Sequence, residues 1–127
     1  GRLDEVLSVL AGNDINIVAL SLADTSEYGM LRMIVSDPHK GRMALKEVGI
    51  TSMLTDVVAL RVPHATGSLS KATHQIVDGE VNIEYMYAFS QGDAANVIIR
   101  PDDVNKCAEV LKANKLELIA ASDLYKL

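Results

Sequence analysis

The sequence carries nearly the same passage twice, 66 residues apart. The first copy opens Gly1-Arg2-Leu3 and runs to Asn13-Asp14-Ile15-Asn16-Ile17. The second opens Gly67-Ser68-Leu69 and runs to Gly79-Glu80-Val81-Asn82-Ile83. Gly1/Gly67, Leu3/Leu69, Asn16/Asn82 and Ile17/Ile83 match without a gap, and Ile15/Val81 is conservative. A repeat of this length fixes the architecture before any other feature is considered. It divides 127 residues into two units of about 60 residues, each of which buries only about 60% of its unfolded surface and is marginal alone. Two such units on one chain amount to a built-in dimer, and the seam of a dimer is a common place for a small ligand.

Each copy spells the same order of elements. Leu3, Val6, Leu7 and Leu10 recur at helical spacing, and Gly12-Asn13 stops that helix. Residues 15–22 and 30–35 are β-branched and aliphatic, joined by a turn at Asp24-Thr25-Ser26-Glu27. Asp37-Pro38 is an N-cap followed by a first-turn proline. The helix it starts runs to about Glu47, with Met43, Ala44, Leu45 and Val48 inward, and Gly49 ends it. Residues 51–62 are strand-like, interrupted by Thr55-Asp56.

The second copy places a helix at 68–78 with Leu69, Ala72, Ile76 and Val77 inward. Alternation then puts Val81, Ile83, Tyr85, Tyr87 and Phe89 on one face of a strand, with Glu84 and Met86 on the other. A strand at 95–100, a helix with Val104, Cys107, Ala108 and Leu111 inward, and a strand at 116–121 complete it. Residues 122–127 mirror residues 55–60.

Counted from the strand at 57–62, this order is β-α-β-β-α-β. The fold class expected is α+β: two ferredoxin-like βαββαβ repeats side by side, with antiparallel sheets and helices on one face. Residues 1–56 form the first repeat, its opening strand absent from the sequence, and residues 57–127 the second. By analogy with residues 57–66, about ten residues belong before Gly1, an explanation favoured over the tail at 122–127 filling their place.

Composition narrows the function. A net charge of −5 disfavours a nucleic-acid partner, which needs a basic patch. RNA-binding ferredoxin-like domains need exposed strand aromatics beside basic residues, whereas here Glu84 sits among the aromatics. No apolar run is long enough to span a membrane. The lone Cys107 allows no internal disulfide, which fits a cytoplasmic setting. His39, His64 and His74 have no metal-ligand spacing, so neither a metal nor another cofactor is expected. Phosphate loops, nucleophile elbows and paired Cys/His clusters are missing, which argues against an enzyme.

The segment with chemical promise is Pro63-His64-Ala65-Thr66-Gly67-Ser68-Leu69, between a strand and a helix. Glycine there allows positive φ and close backbone approach. The amides of the following helix start favour a carboxylate. Asn82, which opens the next strand, offers both a donor and an acceptor. Carboxylate donors beside a polar amide suit a free amino acid. The same residues also serve as a plain turn and a strand-start cap.

Gly-x-Leu at a helix start followed by Ile/Val-Asn-Ile at the next strand, present twice, resembles the ACT domain. The stretch Asn82-Ile83-Glu84-Tyr85-Met86-Tyr87-Ala88-Phe89 is similar to the second repeat of small stand-alone two-ACT proteins. The resemblance spans the chain. It implies a regulatory module that pairs side by side, binds a free amino acid between ACT-like repeats, forms homo-oligomers and serves an enzyme of amino-acid metabolism. It implies ligand contacts at His64, Ala65, Thr66, Gly67, Ser68, Leu69, Asn82 and Ile83. Those in the first copy are Gly1, Arg2, Leu3, Asn16 and Ile17. The family loop reads Asp-x-Pro-Gly-x-Leu, and this chain has His64 at the Asp place and Thr66 at the Pro place. The alternative is an interaction subunit that pairs through its sheets and binds no metabolite.

Overall fold

The structure, a computed structural model, describes residues 1–24 and 29–126. The turn expected at 24–27 therefore falls mostly outside the described residues. The chain divides into two compact units, one of Gly1–Thr55 with Ser122–Leu127 and the other of Asp56–Ala121.

In the first unit, helix α1 (Arg2–Gly12) leads into strands β1 (Ile17–Asp24) and β2 (Gly29–Val35), then helix α2 (Pro38–Glu47). β1 and β2 form an antiparallel two-stranded sheet. Val6 and Leu10 of α1 and Leu45 of α2 close on Ile15 and Val35 to make its core. Their spacing of three to four residues is the helical stripe that the sequence spells. Met43 and Val48, expected inward, are exposed at 56% and 50%. The buried stripe of α2 is narrower and runs through Gly41, Ala44 and Leu45.

The second unit is complete. Strand β3 (Val58–Pro63), helix α3 (Ser68–Asp78), strands β4 (Ile83–Gln91) and β5 (Ala94–Pro101), helix α4 (Val104–Ala113) and the two-residue strand β6 (Glu117–Leu118) follow in the order β-α-β-β-α-β. The sheet order is β4-β5-β3-β6 with every neighbour antiparallel, the ferredoxin-like arrangement. Ala72 and Ile76 of α3 and Cys107 and Leu111 of α4 pack on Val58, Leu60, Val62, Val97 and Ile99, so both helices cover one face. Large aliphatics buried this completely contribute roughly 1.5–3 kcal/mol each. Leu69 and Val77 are exposed at 40% and 63% and lie off this stripe.

The repeat persists in fine detail. Helices α1 and α3 occupy equivalent positions, as do α2 and α4. Asp37 and Asp103 cap the second helix of each unit, accepting from the Lys40 and Lys106 amides at 3.1 and 3.0 Å. Left-handed residues recur at Asp14 and Glu80 (φ 58 and 60) and at Gly49 and Lys115 (φ 81 and 59). A β-bulge recurs too, between Ile17 and Ala19 in β1 and between Ile83 and Tyr85 in β4.

That bulge overturns the expected alternation along β4. Glu84 is an extra residue opposite the Pro101–Arg100 step, so the facing of the strand reverses past it. Met86, expected to point away from Ile83, packs on the same core as Val81 and Ile83. Tyr85, Tyr87 and Phe89 lie across from Arg100, Ile98 and Asn96, on the face without helices. On that face the Arg61 Nε donates to Asn96 Oδ1 at 3.3 Å, and the Asn96 amide donates to Gln91 Oε1 at 3.1 Å.

The end of the chain also differs from expectation. The strand expected at 116–121 is in register at Glu117 and Leu118, with one further bond from the Ile119 amide to Ala59 O at 2.8 Å. The tail turns into a short helix, α5 (Ala121–Leu124), rather than mirroring the strand at 57–62. Residues 51–57, expected as strand apart from the interruption at Thr55-Asp56, have no regular structure.

Candidate functional site

The loop from β3 to α3 sits where the sheet places several strand ends together. Pro63 pairs with Ala94, and Ala94 pairs with Gln91, so the end of β3, the start of β5 and the end of β4 share one edge of the unit. The loop is pinned there by the His64 amide, which donates to Asp93 O at 2.9 Å, and by the Ala65 amide, which donates to Pro63 O at 2.9 Å. Gly67 is the N-cap residue of α3 at φ 84. A Cβ built on it meets nothing within 4 Å, so glycine is required by backbone conformation rather than by crowding.

No side chain caps α3. The Ser68 amide is taken by Ala65 O at 3.2 Å, and the first helical bond runs from the Lys71 amide to Gly67 O. Among the described residues the Leu69 and Ser70 amides have no acceptor. This contrasts with α2 and α4, whose Asp caps fill the same role. Free first-turn amides are suited to a carboxylate.

Beneath the loop lies an open cavity of about 300 Å³. Val62, Pro63, His64, Ala65, Ser68, Leu69, Ala88, Phe89, Ser90, Ala95 and Val97 line it. Its floor is the helix-side face of the sheet, where Ala88 pairs with Val97 and Ser90 with Ala95. Of the residues expected from the sequence, His64, Ala65, Ser68 and Leu69 line the cavity, and Thr66 and Gly67 complete the loop around it, both exposed. The residues from β4 and β5 were not anticipated. The strand order was the available signal, because in a βαββαβ unit the second strand ends beside the loop that follows the first.

Asn82 and Ile83 lie elsewhere. Ile83 pairs with Pro101 at the far end of the sheet from Gln91. Nine residues of β4 separate the two ends by roughly 30 Å at the usual strand rise. The Asn82 backbone is clamped by Asp102, while its side chain is exposed. Ile83 packs partly on the second core.

The first copy repeats this placement. Gly1 is the N-cap residue of α1, again without a side-chain cap. Arg2 pairs with Glu5 at 3.2 Å, both well exposed. Leu3 is half-buried, Asn16 is exposed, and Ile17 packs partly on the first core.

Other reactive groups have structural surroundings. Cys107 is fully buried in the second core. Burial, with the Asp102 carboxylate second, pushes its thiol pKa up. His74 lies 3.2 Å from Asp78 on an exposed turn of α3. Among the described residues no group of three His, Cys, Asp or Glu side chains could hold a metal ion, and no helix is long and apolar enough to cross a membrane.

The chain is similar over its whole length to a solved protein. The crystal structure of protein BT0572 from Bacteroides thetaiotaomicron shares 49% identity and superposes with a TM-score of 0.96, covering 100% of this chain and 88% of that one. A putative glycine cleavage system transcriptional repressor, 12% identical, superposes with a TM-score of 0.39 over 92% of this chain and 86% of its own. No curated protein matches. The sequence matches the ACT domain pair family over residues 1–127. With the duplicated Gly-x-Leu and Asn-Ile signatures and the ferredoxin-like second unit, this establishes that the chain belongs to the ACT domain pair family, a class of regulatory, small-ligand-binding modules.

Proposed function

We propose that the chain is a regulatory module that binds a free amino acid, with the Gly67 loop holding the ligand's carboxylate. The observation that carries this is the uncapped start of α3 above an open cavity, within a family match that spans the chain. The Leu69 and Ser70 amides supply donors of the kind a carboxylate takes. His64 and Ser68 add polar groups at the mouth.

A ligand the size of an amino acid cannot reach from Gly67 to Asn82 of the same unit across roughly 30 Å of strand. An Asn-Ile strand opening that meets the ligand therefore comes from a second ACT unit. Such a bridging ligand favours one arrangement of units over others, and only that difference in affinity makes it a signal. The reading extends to homo-oligomers, to an enzyme of amino-acid metabolism as the regulated partner, and to the cytoplasm as the site of action.

A thermal-shift screen against the common amino acids at millimolar concentration tests the reading. A rise in melting temperature with one or a few of them supports it. A flat response to all of them favours an interaction subunit that binds no metabolite.

A further inference from the structure

Resting on that reading, we infer that the amino acid taken at the Gly67 loop carries an apolar side chain. No Asp, Glu, Lys or Arg lines the cavity. Apart from Ser90 the floor is aliphatic, and it is partly inaccessible to solvent: Val62 and Val97 are 3% and 0% exposed. A charged side chain lowered onto it loses its water and meets no Asp, Glu, Lys or Arg to pair with, which disfavours binding.

The space itself depends on small residues. Ala88 pairs with Val97 in β4 and β5. At the equivalent place in the first unit, Leu22 pairs with Leu31. The second copy therefore has a gap where the first has a leucine side chain. Ala95 adjoins it, paired with Ser90. Two strands that elsewhere carry larger apolar residues, Met86 and Ile83 in β4 and Val97 and Ile99 in β5, have alanines beside this loop. A second open cavity at the same end of the sheet is lined by Val62, Pro63, Ala94 and Leu116 together with Arg61, Asp93, Lys115 and Glu117, so what is particular to the loop side is a lining without Asp, Glu, Lys or Arg.

Titration calorimetry on the intact chain tests this with leucine, valine and methionine against serine, aspartate and lysine. The apolar set is expected to bind at least about tenfold more tightly, the low end of what apolar pockets discriminate. Ala88→Leu, which restores the residue of the first copy, is expected to weaken leucine and methionine at least about tenfold. Ala88 is solvent-exposed, so this variant should keep its melting temperature. Should it unfold, Ala88→Asp gives the same reading by charge instead of bulk. Equal or tighter binding of serine, aspartate or lysine overturns the apolar assignment and leaves the amino-acid reading standing. Binding of none overturns both. Tight leucine binding that is unchanged in both Ala88 variants removes this cavity as the side-chain site.

Discussion

Asn82 and Asp102 hold each other through two reciprocal hydrogen bonds. The Asn82 amide donates to Asp102 Oδ1 at 3.1 Å, and the Asp102 amide returns a bond to Asn82 O at 2.9 Å. The first unit builds the same clamp with a different residue. There the Asn16 amide donates to Ser36 Oγ at 2.9 Å and the Ser36 amide to Asn16 O at 2.9 Å. What the repeat preserves is a short side-chain acceptor, not a carboxylate. Asp102→Ala is expected to lower stability by about 1 kcal/mol, the usual net worth of one such bond. Asp102→Ser should recover most of that loss. Urea denaturation of the three proteins checks it, and equal losses for Ala and Ser would mean the bond contributes little.

Gly79 closes α3 directly beneath Val110 of α4. A Cβ added there would lie 2.5 Å from Val110 Cγ2 and 2.9 Å from Cγ1, although its φ of −80 suits any residue. The requirement for glycine is therefore helix packing alone. Gly79→Ala is expected to cost about 1–3 kcal/mol through overpacking. In a Val110→Ala background the same substitution should cost clearly less. A double-mutant cycle showing additive losses would place the strain elsewhere.

Much of this was legible in the sequence, for identifiable reasons. Helices α1 and α2 announce themselves through Val6, Leu10, Leu45 and the Asp37-Pro38 start, because stripe and cap are both local signals. The Gly67 loop was legible because only glycine suits a turn at φ 84. The facing of Tyr85, Tyr87 and Phe89 was not, because a bulge changes no composition and alternation assumes there is none. The shortness of β6 and the helical tail were hidden similarly: residues 116–121 are apolar enough for a strand, and pairing rather than propensity ends it. The separation of Asn82 from Gly67 follows from topology, which a linear reading of neighbouring motifs does not contain.

Gly67→Val separates loop geometry from fold stability. A branched residue forced to φ 84 costs about 1–2 kcal/mol or more in the left-handed region. Nothing lies close enough to clash, so the rest of the unit should remain folded. The expected result is a melting temperature lower by several degrees and loss of any amino-acid-induced shift. A retained shift would take this loop out of the site.

Cys107 is expected to be unreactive in the folded protein and alkylated only as the chain unfolds. Burial raises its thiol pKa, with Asp102 adding to the effect, so the thiolate is scarce at neutral pH. The linkage sign follows. The raised folded pKa contributes stability that is fully present below the unfolded thiol value of about 8.5 and is lost as pH rises through the folded one. Iodoacetamide labelling across a urea titration, and unfolding free energies at pH 7 and pH 10, check both parts. Rapid labelling of the native protein would contradict this account.

The paired bulges have a consequence for how the sheets meet other chains. β1 and β4 are both outermost strands, and in each the extra residue falls immediately after the Asn-Ile opening. In β4 that residue is Glu84, whose carboxylate lies 3.6 Å from the Arg100 guanidinium. A regular outer strand is a template on which strands can stack indefinitely, and bulges and charges interrupt such templates. An edge built this way can accept a single docking partner in a defined register, yet resists growing into a fibre.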